Sequence, residues 1–309
     1  MTRRLELVPR RRSAGVTLIE LAITIALVGI LAALIVQFVA PVRSYIDSSR
    51  RATLADTADT ALRRIRRDLR LALPNSVRVT TSGGIVYLEF LLVRVGGRYR
   101  YEPAAGSASG CPTGAGSSVT EDLLAFGSAD NCFKTIGNLY DPSSGISNVS
   151  TTTDYVVVFN LQPGTDKADA YQTSCGSACN KAKITNAVNL TNEDRIEFSA
   201  GNTFTFESPG RRFFVIEGPV TYACDKAGGT LTRYSGYAIA SAQPTPPGVS
   251  AALLANNVND CSITYDNVAG AANQGAGLVS MWLQLKMQDS RGTDETVSLY
   301  HAVHVNNAP

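Results

Sequence analysis

Histidine is nearly missing from this chain: 309 residues carry two, His301 and His304. A catalytic triad or an imidazole-rich metal site therefore has almost no raw material. The two lie three apart in a strand-like run, so they project to opposite faces and cannot chelate one ion together. The sequence also has no CxxC, GxSxG or HExxH motif and no phosphate loop, which leaves the common hydrolase, zinc-protease and nucleotide-binding chemistries without a signature. No enzyme activity and no cofactor is expected. Asp166 and Asp169 in "PGTDKADAY" could contribute to a calcium loop, but the spacing and glycine of an EF-hand are absent. They are read as a solvated loop, and no metal is expected.

Excess charge is lacking too. The net charge is +2, but residues 1–15 hold five arginines against the single acid Glu6, so the rest of the chain stands at −2. A near-neutral body argues against a general nucleic-acid binder. Cysteine is absent from the first 110 residues. The six present, Cys111, Cys132, Cys175, Cys179, Cys224 and Cys261, lie in loop-like surroundings on one side of an apolar segment. An even count so placed reads as disulfides in an oxidising compartment. The expected staples are Cys111–Cys132, Cys175–Cys179 and Cys224–Cys261, one of the many connectivities six cysteines allow.

What is present in abundance is apolar sequence near the N-terminus. Of the 25 residues from Val16 to Ala40, only Glu20 is charged. As a helix this run spans roughly 37 Å, enough for a hydrocarbon core of about 30 Å. Arg10, Arg11 and Arg12 precede it, which places the N-terminus in the cytoplasm and the body across the membrane. A cleaved secretory signal puts its small residues after a shorter apolar region. Here Ser13-Ala14-Gly15 come before it.

"G-V-T-L-I-E" at Gly15 to Glu20, behind a basic leader and ahead of a long apolar helix, resembles the class III signal of type IV prepilins. The family usually has Phe where this chain has Val16. The resemblance implies cleavage between Gly15 and Val16 by the prepilin peptidase/N-methyltransferase, then N-methylation of Val16. Its partners would be other major and minor pilin subunits. The chain would sit in the inner membrane as a single-pass protein with a periplasmic body, and afterwards in a pilus on the surface of a Gram-negative cell. An acid inside a membrane helix is costly and is normally paired. Glu20 lies four residues from the new amine of Val16, on the same helix face. In a packed fibre that amine on one subunit can meet Glu20 of a neighbour.

Beyond the membrane segment the pattern stays helical but becomes amphipathic. Ala58, Leu62, Ile65, Leu69 and Ala72 form one stripe. Arg63, Arg64, Arg66, Arg67 and Arg70 crowd the remainder, read as a solvated face or a partner for acids on adjacent subunits. Pro41 is expected to kink or break the helix, and Pro74 to end it. The segment 63–79, with "RDLR-x-A" before a strand, is similar to minor pilins related to the J-type pseudopilins of type II secretion, whose bodies are usually built around two sheets. "GPVTYACD", "ALLANNVNDCSITY" and "VSLYHAVHVNNAP" resemble the minor-pilin family termed MSHA biogenesis protein O. That resemblance implies a role in pilus assembly, at the tip or in adhesion. A J-like pseudopilin is the alternative, and a membrane-tethered DNA receptor or enzyme a third reading.

The division implied is a leader at 1–15, a membrane and fibre-core helix at 16–40, an amphipathic helix at 41–74 and a β-rich body at 75–309. With 44% hydrophobic and 17% charged residues, that body can bury a sizeable core. Period-two runs predict strands in 77–102, turning at Gly83-Gly84 and Gly96-Gly97, and at 155–161, 195–199, 203–207, 212–217, 220–224, 230–234, 262–265, 278–288 and 296–305. A hairpin is expected at Gly218-Pro219 and a short helix over 250–257. Segments 103–153, 162–194 and 240–260 read as long loops. Two triplets, at Asn148 and Asn189, match glycosylation acceptors of a kind frequent by chance. The expected class is α+β: a long helix packed on antiparallel sheet, pilin-like.

Overall fold

A computed structural model describes residues 15–100, 123–139, 149–190, 192–267, 275–289 and 291–309. Helix α1 runs without interruption from Leu18 to Leu69, a rod of about 78 Å. The expected break at Pro41 does not occur. Proline removes one amide donor, a loss that a helix of 52 residues absorbs. The end at Pro74 is also corrected. The helix closes at Leu69, capped by the Arg70 N–H on Arg66 and Asp68 carbonyls. Residues 71–73 are drawn instead into β pairing: the Leu73 N–H donates to Leu91 O and the Val93 N–H to Leu71 O, both at 2.8 Å.

Twelve strands follow among the described residues: β1 (Arg78–Ser82), β2 (Ile85–Arg98), β3 (Asp130–Lys134), β4 (Tyr155–Val158), β5 (Lys181–Asn189), β6 (Asp194–Asn202), β7 (Arg212–Asp225), β8 (Thr230–Ser235), β9 (Ala252–Ala255), β10 (Val258–Asn267), β11 (Ala276–Gln288) and β12 (Asp294–Asn306). All the strand pairings are antiparallel. Nine strands form one sheet along β1-β2-β7-β4-β5-β6-β3, with β8 and β9 branching from β7. The other three form β10-β11-β12. The fold is α+β, with α1 packed on antiparallel sheet.

The stripe of α1 buries Leu54, Ala58, Ala61, Leu62, Ile65 and Leu69 in a core shared with Phe90 and Tyr222 of the large sheet and Met281, Leu283 and Leu285 of the small one. A second core packs Phe133 and Ile184, from segments read as loops, against Phe198 and Phe213, from segments read as strands. The rings of Phe133 and Phe213 meet edge to face at 4.9 Å.

Several expectations about strands are overturned. Gly218-Pro219 is no hairpin: β7 continues through it, with Gly218 opposite Leu92 and Pro219 opposite Leu91 and a register shift between Gly218 and Ile216. Pro219 falls in the gap between the last β4 pair, at Ile216, and the first β8 pair, at Val220. The strand thus changes lateral partner where proline is tolerated. Gly96-Gly97 is no turn either. It lies inside β2, where a Cβ on Gly97 would collide with Leu139 and stand 3.0 Å from the Phe213 ring. Glycine there permits close packing. Gly83-Gly84 does turn the chain, both residues having positive φ (58° and 81°) between the paired Ser82 and Ile85, as a tight hairpin requires.

The helix expected at 250–257 is replaced by β9, which pairs with β8. Around 203–207 only an isolated bridge, Phe204 with Phe126, survives. Strands β3 and β5 occupy segments read as loops. Disulfides join Cys175 to Cys179 and Cys224 to Cys261, the latter linking β7 of the large sheet to β10 of the small one. Cys132 is also disulfide-bonded. Cys111 and the triplet residues Asn148 and Thr191 lie outside the described residues.

Candidate functional site

The most unusual surface of the molecule is the first half of α1. From Leu18 to Ile35 its mean hydropathy is 2.7 and none of it is buried. Leu18 is 87% exposed, Ile19 70% and Val28 64%. Water does not tolerate so long a continuous apolar surface, which marks a membrane or an assembly contact. The helix is long and apolar enough to cross a bilayer.

Thr17 caps this helix. Its backbone is extended, and its Oγ1 accepts from the Glu20 N–H at 3.3 Å. Glu20 is thereby the third helical residue, and Thr17-Leu18-Ile19-Glu20 has the pattern of a capping box. The carboxylate also sits by the positive end of the helix dipole. The sequence held this signal in the T-x-x-E spacing, although the acid was read only for an intersubunit pair. Thr17 is the residue that reading missed. Gly15 and Val16 are exposed, and a Cβ on Gly15 meets no described atom within 4 Å. Folding gives no packing reason for a glycine there. The basic leader, residues 1–14, lies outside the described residues.

The second half of α1 is fixed to the body by the acid of the "RDLR" segment. Asp68 is buried, accepts from the Tyr222 hydroxyl at 2.7 Å and from Arg233 Nε at 3.0 Å, and lies 3.8 Å from Arg64 and 3.6 Å from Arg67. Burial, followed by the bond to Asp68, pushes the Tyr222 phenol far above its ordinary value. The arginine face is thus partly used within the chain. Arg63 pairs with Asp59 at 2.6 Å, while Arg66 and Arg70 have no acidic partner among the described residues. Toward the membrane half, Arg51 meets Glu295 at 3.0 Å.

Below the helix end, polar side chains tie the two sheets together. Asn75 donates from its backbone to Asn307 Oδ1 at 3.1 Å and from its side chain to the carbonyls of Asn160 and Asn307. Asn160 Nδ2 in turn donates to Pro74 O at 2.7 Å. Glu89 is fully buried beside Arg78, with Nη2 at 2.6 Å. Burial nonetheless pushes its carboxyl upward, against the opposing pull of Arg78.

The remaining candidates do not converge. His301 faces α1, its Nε2 3.7 Å from Asp59, and His304 is exposed on the opposite face of β12. Asp169 is engaged by its own loop, accepting from the Gly164 and Tyr171 N–H groups at 2.8 Å. Among the described residues, no three His, Cys, Asp or Glu side chains are grouped to hold a metal ion.

In comparisons with curated proteins and with solved structures, nothing matches the chain. The family described as the prokaryotic N-terminal methylation motif matches residues 10–36. That span contains the Gly15-Val16 pair, the Thr17 cap, Glu20 and the exposed apolar helix, and the match supports a type IV pilin- or pseudopilin-type subunit.

Proposed function

We propose that this chain is a minor type IV pilin: a non-enzymatic subunit held in the inner membrane by α1, cleaved between Gly15 and Val16, methylated on Val16 and packed with other pilins into a surface fibre. The observation that carries this reading is the exposed apolar half of α1 directly behind the methylation motif. The same surface serves first the membrane and then the fibre interior, so no refolding is needed to change surroundings. Glu20 has two tasks in sequence. Its N–H binds the Thr17 cap while its carboxylate favours the positive end of the helix dipole, and on assembly that carboxylate meets the methylated amine of a neighbouring subunit, setting axial register as the helices leave the lipid.

The C-terminal sequence blocks favour the MSHA-type minor pilins over a J-like pseudopilin, and with them a place at the pilus tip and a part in adhesion. Intact mass and N-terminal sequencing of protein from a host with prepilin peptidase test the processing. The expected mature chain begins at methylated Val16. An N-terminus at Met1, or one beyond Ala40, refutes the reading. Glu20→Ala is expected to be cleaved but to enter fibres poorly; normal incorporation of that variant removes the ion-pair role.

A further inference from the structure

A groove of about 580 Å³ opens on the body between β4, β5 and β6, the Cys175–Cys179 loop and the chain after β8. No residue of α1 lines it, and the pilin reading gives it no task. Its size suits a small ligand. Its walls mix hydroxyl and amide side chains, including Thr153, Thr173, Ser199 and Asn202, with apolar surface from residues such as Ala182, Ala238, Ile239, Tyr155 and Tyr237. Gly176, Gly218 and Gly236 line it at positive φ (60°, 135° and 80°), leaving the main chain bare where a ligand can approach closely.

The charges in the groove are unequal in availability. Glu217 is held by Arg94 at 3.6 Å, and Arg94 is itself bound to Asp154 at 2.7 Å. Lys181 spends its ammonium on the carbonyls of Ala170, at 2.6 Å, and Gln172. Lys183 is exposed and its ammonium has no partner among the described residues, although its carbonyl accepts from the Ser199 hydroxyl at 3.2 Å. One free cation therefore stands on a rim of neutral hydrogen-bonding groups. A phosphate dianion would find neither an arginine fork nor a helix N-terminus. A ligand with many hydroxyls and one carboxylate matches the donors and acceptors present.

We propose that this groove binds a carboxylated sugar, with Lys183 pairing its carboxylate and the threonine, serine and asparagine side chains engaging its hydroxyls. The site stands independently of the pilin reading. Its test is titration calorimetry on the full-length chain in detergent micelles, with tetragalacturonate, sialyllactose and maltotetraose. The first two separate a uronate polymer from a terminal sialic acid, and binding of either one supports the site. The expected result is binding of an acidic sugar at least about tenfold tighter than maltotetraose, a difference of one charge-assisted contact. Lys183→Gln is expected to erase that preference and Ser199→Glu, at an exposed position, to abolish binding of the acid. Unchanged circular dichroism and melting would show that both variants fold. Failure of both acidic sugars to bind at millimolar concentration, equal affinity for maltotetraose, or affinity unaffected by either substitution overturns the proposal.

Discussion

The Tyr222 hydroxyl donates a 2.7 Å hydrogen bond to Asp68, and this contact, 154 residues apart in sequence, fastens the long helix to the centre of the large sheet. Arg233 completes the site from β8. Removal of the acid leaves a half-buried guanidinium and a buried phenol without their partner. Asp68→Ala is expected to cost about 3–5 kcal/mol, a fall in melting temperature of about 10 °C for a body of this size. Calorimetric melting of the purified variant checks it, and a change under 1 °C would show that the contact is not a fastening.

Reduction of the two described disulfides should have unequal effects. Cys224–Cys261 closes a separation of 37 residues and joins the two sheets, whereas Cys175–Cys179 spans four. Chain-entropy reasoning gives about 4 kcal/mol for the long loop and about 2 for the short one. The Cys224→Ser/Cys261→Ser double variant is therefore expected to unfold at clearly lower urea than Cys175→Ser/Cys179→Ser.

Alkaline pH acts on buried groups in two directions. Burial lowers the folded pKa of Lys181 from 10.5 to about 8. Between those values the unfolded chain keeps a proton that the folded one has shed, so this residue makes stability rise with pH. Burial raises the folded pKa of Tyr171, Tyr222 and Tyr237 above the ordinary 10.0. Their contribution is complete below that value and is lost as the unfolded tyrosines ionise above it. Urea midpoints are expected to climb from pH 8 toward 10 and to drop beyond it, and Lys181→Met should flatten the climb.

Gly97 lies against Leu139 and Phe213 with no room for a Cβ. Gly97→Val is expected to destabilise by about 1–3 kcal/mol through overpacking. Gly15→Val, where no described atom is near, is expected to leave melting unchanged while blocking cleavage. Melting curves and the mass of the mature chain separate the two effects.

The sequence carried the local features well. The 25-residue apolar run, the helical stripe through Ala58, Leu62 and Ile65, the Gly83-Gly84 turn and most of the alternating strands follow from periodicity alone, since each is decided by neighbours within a few residues. Misreadings arose where distant partners decide. Gly96-Gly97 and Gly218-Pro219 look like turns until Phe213 and the change from β4 to β8 supply their reasons. Residues 71–73 leave the helix because β2 offers them hydrogen bonds. Strand β5 reads "KAKITNAVN", too polar to signal a strand, and is held by β4 and β6 on its two sides. Asp68 was visible only as one acid among arginines; its importance depends on Tyr222 and Arg233, which no local pattern connects to it.

The continuity of α1 through Pro41 also has a mechanical meaning. With its apolar end gripped by lipid or by other helices, the rod passes tension straight to the residues that join it to the body, from Leu54 to Asp68. A pull along its axis then slides the helix across the sheets, which resists in shear, many side chains sharing the strain at once. A break at Pro41 would have let the body swivel and dissipated the pull before it arrived. As built, the chain behaves as a stiff cable with a sheet clamped along its far end.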